Sequence, residues 1–255
     1  MKKILIYRDA GANPFCVASL LSALQHEKLD QVYDIALADR NLFQTTEWQK
    51  DALLVIFPGG RDIPYQQALK GRSNHHIKDF VQNGGKFLGI CAGGYYGSAI
   101  VEFERGGPLE VLATRELKFF PGIARGPAYG LGKFCYQSEQ GAQIAKLHLF
   151  STSSSSNSAA YYNGGCAFVD AEKYDGISVI ARYADIQETP SAIIKCNIGV
   201  GKAILSGVHP EYSTEYEETK KRIQGPMFFE LKEIEKKRRT LLLTIFNQLD
   251  LQVVH

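Results

Sequence analysis

The chain has 255 residues, of which 45% are hydrophobic and 22% charged, a composition typical of a globular protein rather than a disordered segment. Its net charge of +2 is too small to indicate a nucleic-acid or anionic-membrane partner, so neither is expected. The five cysteines form no CxxC pair, and no apolar run approaches the ~20 residues of a membrane span. No metal, cofactor or disulfide framework is therefore expected, and the cytoplasm is the expected location.

The first ninety residues alternate apolar runs with amphipathic segments, which predicts an α/β fold with a mostly parallel sheet and helices on both faces. The predicted strands span residues 3–7, 32–38, 53–57 and 86–90, and the predicted helices span residues 15–26 and 74–82. In such sheets, ligands bind at the carboxyl ends of the strands.

The second half of the chain predicts antiparallel additions to this sheet. Glycine and proline crowd residues 106–132, which indicates long loops and short antiparallel strands, and strands are expected at 178–183, 192–197 and 202–206. The serine-rich residues 151–158 are predicted as a mobile connector. Residues 227–249 predict one amphipathic helix whose basic run, 236–239, faces solvent and whose apolar stripe could join two copies into a homo-oligomer.

Cys91 stands in Gly89-Ile90-Cys91-Ala92-Gly93, directly after a predicted strand. Small residues two positions before and after a nucleophile let a strand turn sharply into a helix that packs close to it. The helix dipole and the free N–H groups at its start favour a thiolate. The pattern predicts a nucleophilic cysteine, although glycine-rich turns after strands are common.

A second motif, Val208-His209-Pro210-Glu211, follows another apolar run. Residues two apart in an extended chain point to the same side, so His209 and Glu211 can present an imidazole and a carboxylate to each other. With Cys91 they form a predicted catalytic triad of nucleophile, base and orienting acid. Alone, the motif also fits a strand end that is closed by proline and followed by a surface carboxylate.

A third motif, Phe57-Pro58-Gly59-Gly60, ends the predicted strand 53–57. Glycines leave backbone N–H groups approachable, and those of Gly60 and Ala92 are the predicted oxyanion hole. The candidates for substrate contact are polar and aromatic residues near the motifs: Arg61, Asp62, Tyr65, Tyr95, Tyr96, Tyr162 and Asn163. Helix capping and surface charge remain open alternatives for Arg61, Asp62 and Tyr65, and packing of the helix remains open for Tyr95 and Tyr96.

Together these motifs resemble the signature of class I glutamine amidotransferase-like domains. Longer blocks resemble one branch, the biotin-protein ligase N-terminal domain family; they are residues 58–65, 89–96, 115–122, 161–165 and 205–212. The resemblance covers about residues 3–212. It implies a flavodoxin-like sheet with a Cys91–His209–Glu211 triad, in one domain over 1–255 whose C-terminal helical extension starts near residue 213. Biotinylation is not implied, because the chain has no Gly-Arg-Gly-Arg stretch and no segment is expected to remain for a ligase domain.

The chain departs from the amidotransferase pattern just after Cys91. The pattern usually has a glutamine there that helps to frame the substrate, and here Gly94-Tyr95-Tyr96 follows instead. The two tyrosines would narrow the pocket or pack the helix against the sheet. Glutamine is therefore a doubtful substrate.

Two classes of function remain open, and the three converging motifs favour the first. In that class the protein is a cysteine-nucleophile amidohydrolase or acyl-transfer enzyme acting on a small molecule. Cys91 attacks an amide or ester carbonyl, His209 moves the proton, and Glu211 fixes the imidazole tautomer. In the second class the same pocket binds a small anion without turnover, or the thiol senses oxidants. An interaction role for the C-terminal helix ranks last.

Overall fold

The computed structural model of the chain describes residues 1–135, 138–150 and 155–253. Its strands are β1 (Lys3–Tyr7), β2 (Asp34–Ala38), β3 (Ala52–Phe57), β4 (Lys86–Ile90), β5 (Ser98–Phe103), β6 (Val111–Thr114), β7 (Phe120–Gly126), β8 (Gln143–Phe150), β9 (Ser155–Tyr162), β10 (Ala167–Phe168), β11 (Ile177–Tyr183), β12 (Ser191–Ile198) and β13 (Gly201–Ser206). Its helices are α1 (Pro14–His26), α2 (Asp62–Leu69), α3 (Arg72–Gln82), α4 (Ala92–Tyr96), α5 (Glu217–Arg222), α6 (Pro226–Glu233) and α7 (Glu235–Gln248).

Five strands form the parallel core in the order β2-β1-β3-β4-β13. Side chains of a strand alternate between its two faces, so in β1 Ile4 and Ile6 join the apolar cluster that includes α1 and α7. Leu5 and Tyr7 join the opposite cluster, which includes α2, α3 and α4. Both faces are covered, and this explains why the core strands are almost continuously apolar. The predicted flavodoxin-like α/β fold is confirmed.

The antiparallel part of the sheet is more extensive than the short strands that the sequence predicts. Beyond β13 the order continues as β12-β10-β7-β5-β6, in which β7 and β5 pair parallel and the other neighbours antiparallel, and β11, β8 and β9 extend from β12. The predicted turn between β12 and β13 is present, with Gly199 at a φ of +58°. Residues 155–158 of the predicted connector instead begin β9, which pairs with β8 along its whole length. Residues 151–154 of that connector lie outside the described residues.

The C-terminal region corrects two expectations. The prediction of a single helix over residues 227–249 is wrong, because α6 ends before Ile234 and α7 begins after it. The basic run was expected to face solvent, but Arg238 is fully buried. The apolar side chains of α7, such as Leu241 and Ile245, pack into the core of this chain. They are therefore not available for the expected contact between copies, and the homo-oligomer itself stays a prediction. None of the described helices combines the length and the apolar character needed to cross a bilayer.

Candidate functional site

The three sequence motifs follow three adjacent strands of the parallel core. Strands β3, β4 and β13 lie side by side, and their carboxyl ends lead into Gly60, Cys91 and His209. Because parallel strands present their carboxyl ends at one edge of the sheet, the three motifs meet there. Gly60, Cys91, Ala92 and His209 line one cavity of about 360 Å³. The cavity is large enough for a small molecule.

Cys91 lies on a sharp turn between β4 and α4. Its backbone adopts φ 52° and ψ −102°, a conformation that residues other than glycine rarely take and that needs support from its surroundings. The Cys91 N–H donates to the Ser206 carbonyl at 2.7 Å. A Cβ atom on Gly93 would lie 2.2 Å from the Phe57 carbonyl oxygen, and one on Gly89 would lie 2.3 Å from that of Gly93. The glycines therefore let helix and strands approach as closely as the sequence predicts.

His209 and Glu211 form a buried pair beside this turn. His209 Nδ1 lies 2.8 Å from Glu211 Oε1, and the side chains are 4% and 0% exposed. Burial alone would lower the pKa of His209, but the charge of Glu211 and the interaction with Cys91 outweigh it and raise the pKa to about 10. The raised pKa and the short distance to Glu211 favour a proton on Nδ1 that is donated to Glu211.

The imidazole of His209 is held between neighbours on several sides. Its backbone N–H donates to the Tyr161 carbonyl at 2.8 Å, and its ring stacks on Tyr212 with centroids 4.5 Å apart. On another side, a Cβ atom at Gly59 would lie 2.6 Å from His209 Cε1. Glycine at position 59 therefore makes room for the ring. The Tyr212 hydroxyl lies 2.9 Å from Cys16 Sγ, so a second thiol borders the site.

The backbone around Gly60 and Ala92 suits the predicted oxyanion hole. Gly60 forms an antiparallel bridge with Ala12, flanked by the bonds Arg61 N–H to Gly11 O (2.8 Å) and Asn13 N–H to Gly59 O (3.0 Å). In this pairing the N–H of Gly60 itself points away from Ala12. Ala92 begins α4, so its N–H has no acceptor within the helix. Both residues border the cavity beside Cys91.

Four of the seven candidates for substrate contact line the cavity: Arg61, Asp62, Tyr95 and Asn163. The Asn163 carbonyl oxygen lies 3.8 Å from Cys91 Sγ. Asp62 accepts a hydrogen bond from Arg115 Nε at 2.8 Å, and the Tyr95 hydroxyl donates to Gly164 O at 3.0 Å. Asp62 and Tyr95 therefore shape the wall while being held by the protein itself.

The other three candidates, Tyr65, Tyr96 and Tyr162, lie in the core instead of on the described cavity wall. Each hydroxyl is directed to a protein acceptor. The Tyr65 hydroxyl donates to Pro58 O at 3.0 Å, that of Tyr162 donates to Gly165 O at 3.0 Å, and that of Tyr96 donates to the Asn74 side chain. Packing, the alternative left open for Tyr95 and Tyr96, describes the position of Tyr96.

Further cavity residues were not predicted from the sequence. Phe15 and Cys16 come from the first turn of α1, and Glu139 and Arg222 form an ion pair at 2.9 Å. A local signal existed only for α1, because Asn13-Pro14 marks a helix start after β1. Among the residues that the structure describes, no group of three His, Cys, Asp or Glu side chains could hold a metal ion.

Sequence comparison gives the family. The model described as "Biotin-protein ligase, N terminal" matches residues 2–255. The chain belongs to this family. It is 36% identical to the biotin–protein ligase of Schizosaccharomyces pombe over 215 residues, which cover 83% of this chain and 34% of the ligase. It is 37% identical over 218 residues to an uncharacterized protein of Chlamydia muridarum, covering 85% and 83% of the two chains. The chain thus spans about a third of the ligase that it matches.

Solved structures support the fold of this biotin-protein ligase N-terminal family member. The structure of PurLQS from Thermotoga maritima aligns with a TM-score of 0.59 and 16% identity, over 97% of this chain and 99% of the other. A putative ThuA-like protein from Bacteroides uniformis aligns with a TM-score of 0.57 and 11% identity, over 97% and 91%. At these identities the structures show the fold alone.

Proposed function

We propose that this protein is a cysteine-nucleophile amidohydrolase or acyl-transfer enzyme that acts on a small amide or ester. One observation carries the proposal: Cys91, on a strained turn, shares a cavity with His209, whose Nδ1 is 2.8 Å from Glu211. Nucleophile, proton carrier and orienting acid are the parts that nucleophilic acyl transfer needs.

The proposed reaction begins with attack of the Cys91 sulfur on the substrate carbonyl carbon. His209 takes the thiol proton during the attack, and the oxygen that becomes negative accepts hydrogen bonds from the N–H groups of Gly60 and Ala92. As the carbon–nitrogen or carbon–oxygen ester bond breaks, His209 gives its proton to the leaving amine or alcohol. Water then attacks the thioester and loses a proton to His209, releasing the acid and restoring the sulfur.

The cavity wall supports a small substrate other than glutamine. At the position where the amidotransferase pattern has its glutamine, the chain continues with Tyr95 and Tyr96, and both side chains are held by protein acceptors. A site that lacks a polar partner for a substrate group discriminates weakly in favour of that group.

The free cysteines fit the cytoplasm, where thiols stay reduced, and we place the protein there.

A screen of small amides and esters tests the proposal, with wild type, Cys91→Ala and Cys196→Ala as the matched control. Cys196 is a fully buried core residue on β12 and is not among the described cavity residues, so its variant should keep wild-type turnover. We expect turnover that Cys91→Ala abolishes, and an acyl adduct on the Cys91 peptide in mass spectra of the quenched wild type. Ligand binding without turnover or adduct would favour the binding function. Equal turnover by wild type and Cys91→Ala would refute the mechanism.

A further inference from the structure

Helix α7 places a buried arginine directly behind the loop that carries His209 and Glu211. Arg238 is 0% exposed, and its Nη1 donates to the Pro210 carbonyl oxygen at 2.5 Å. Its Nε donates to Glu235 Oε1 at 3.1 Å, so the guanidinium spans an acid on its own helix and a carbonyl in the loop. Burying an arginine is costly unless it is paired and hydrogen-bonded, as it is here.

The Pro210 carbonyl that Arg238 binds lies between His209 and Glu211 in the chain. The proline ring fixes the φ angle of Pro210, and the planar peptide group that contains this carbonyl leads directly to Glu211. Holding the Pro210 carbonyl therefore fixes the orientation of the peptide plane that precedes Glu211. The direction of the Glu211 side chain follows from that orientation. At the other end of the motif, the N–H of His209 is held by the Tyr161 carbonyl at 2.8 Å.

The Glu211 carboxylate has little support of its own. Its Oε1 pairs with His209, but its Oε2 is buried and has no hydrogen-bond partner among the described residues. A carboxylate that is held by one oxygen depends on its backbone for orientation. The contact from Arg238 to Pro210 supplies that constraint.

We propose that Arg238 is a positioning residue that keeps Glu211 facing His209 by fixing the Pro210 carbonyl. It acts through geometry, since Glu235 balances its charge and Ser213 Oγ, 2.9 Å from Glu235 Oε1, steadies that acid. The inference rests on the proposed function, in which Glu211 orients the imidazole. Helix α7 then supplies a side chain that supports the candidate site.

The next residue, Arg239, offers a matched control. It lies on the same helix with the same charge, but it pairs with Glu27 at the end of α1, Nε to Oε1 at 2.7 Å. Its side chain is 51% exposed. Replacing it removes an ion pair between two helices without touching the bond to Pro210. A general effect of weakening α7 would therefore appear in both variants, and a positioning effect only at residue 238.

The experiment compares Arg238→Met, Arg238→Lys and Arg239→Met by two measurements. Proton NMR follows the downfield Nδ1–H signal of His209, assigned by its loss in His209→Gln. Iodoacetamide labelling follows Cys91 at pH 7 and at pH 9.5. Arg238→Lys keeps the positive charge but loses the planar guanidinium, whose N–H groups bind two acceptors at once. Its single ammonium group will bind the carboxylate of Glu235 in preference to the neutral Pro210 carbonyl.

We expect both Arg238 variants to lose or shift the Nδ1–H signal upfield and to label Cys91 at least tenfold more slowly at pH 7. At pH 9.5 the labelling rates should approach that of wild type, because cysteine thiols in general need no neighbouring base to react in alkaline solution. Arg239→Met should match wild type in both measurements. If Arg238→Met does not fold, Arg238→Lys decides.

An unchanged Nδ1–H signal and unchanged labelling in Arg238→Lys would overturn the inference, as would equal changes in Arg239→Met. The NMR readout separates this inference from the proposed function. A signal that depends on Arg238, in a protein that turns over no substrate, would refute the enzyme and leave the positioning role standing.

Discussion

Substitution of Gly93 tests how tightly the turn around Cys91 is built. A Cβ atom at this position would lie 2.2 Å from the Phe57 carbonyl oxygen, about 0.8 Å short of the 3.0 Å below which real contacts are essentially never found. The obstacle is backbone of β3 inside the sheet, so it cannot rotate away as a flexible side chain would. The φ angle of Gly93 is not in the left-handed region, and the expected cost is therefore steric alone.

Overpacking of this kind costs about 1–3 kcal/mol, and a clash against fixed backbone belongs at the upper end. For a protein of this size, about 3 kcal/mol lowers the melting temperature by roughly 6–12 °C. We expect this loss for Gly93→Ala and a larger one for Gly93→Val. Cys91→Ala keeps the Cβ atom and should cost about 1 kcal/mol or less.

Thermal unfolding followed by circular dichroism measures these differences. Gly107→Ala is the matched control, because its φ is likewise outside the left-handed region and its Cβ atom would meet nothing closer than 3.1 Å. Its melting temperature should stay close to that of wild type. If Gly93→Val, Cys91→Ala and Gly107→Ala melt together, the turn is not tightly packed and this reasoning is refuted.

Three further predictions concern reactivity, substrate and acid stability. Cys91 should be the thiol that limiting iodoacetamide labels first, since it stands at the start of α4 and interacts with His209, and mass spectrometry that finds another cysteine labelled first would contradict this. Ammonia release from L-glutamine should be weak or absent because Tyr95 and Tyr96 follow the turn, and robust release that Cys91→Ser abolishes would show the opposite. Arg40 holds the pKa of Asp9 well below its usual range, so the ion pair stabilises the fold above pH ~4 and is lost as the pH falls further. Asp9→Asn should therefore lower the free energy of urea unfolding at pH 7, with the difference from wild type shrinking below pH 4; a constant difference would exclude the linkage.

The sequence predicts those parts of the molecule that local spacing determines. The strand before Cys91, the small residues around it and the i, i+2 spacing of His209 and Glu211 are all local, and the structure brings these residues to one edge of the sheet. Their catalytic roles stay predictions. Helix α2 was not among the helices predicted from the sequence; Pro64 lies in its first turn, where proline is tolerated.

The remaining site residues could not be predicted because tertiary packing decides their positions. Arg238 stands in a basic run that looks solvent-exposed, and only the approach of α7 to Pro210 buries it. Arg222 and Glu139 are far apart in the chain and meet at the cavity. Likewise, Tyr96 lies five residues after Cys91, yet the turn directs it into the core against Phe57.

The direct pairing of β4 with β13 has a consequence for how such a site can change during evolution. Ile90 and Ser206 are register partners, so the chain leaves the parallel core after one strand and returns to it on the neighbouring strand. The long excursion between them supplies cavity walls such as Glu139, Tyr161 and Asn163, whereas Cys91 and His209 stand at its two ends. Insertions, deletions and substitutions within the excursion can therefore remodel this part of the cavity wall, while the hydrogen-bonded junction keeps Cys91 and His209 together. On the proposed function, much of the substrate selectivity can then diverge faster than the chemistry.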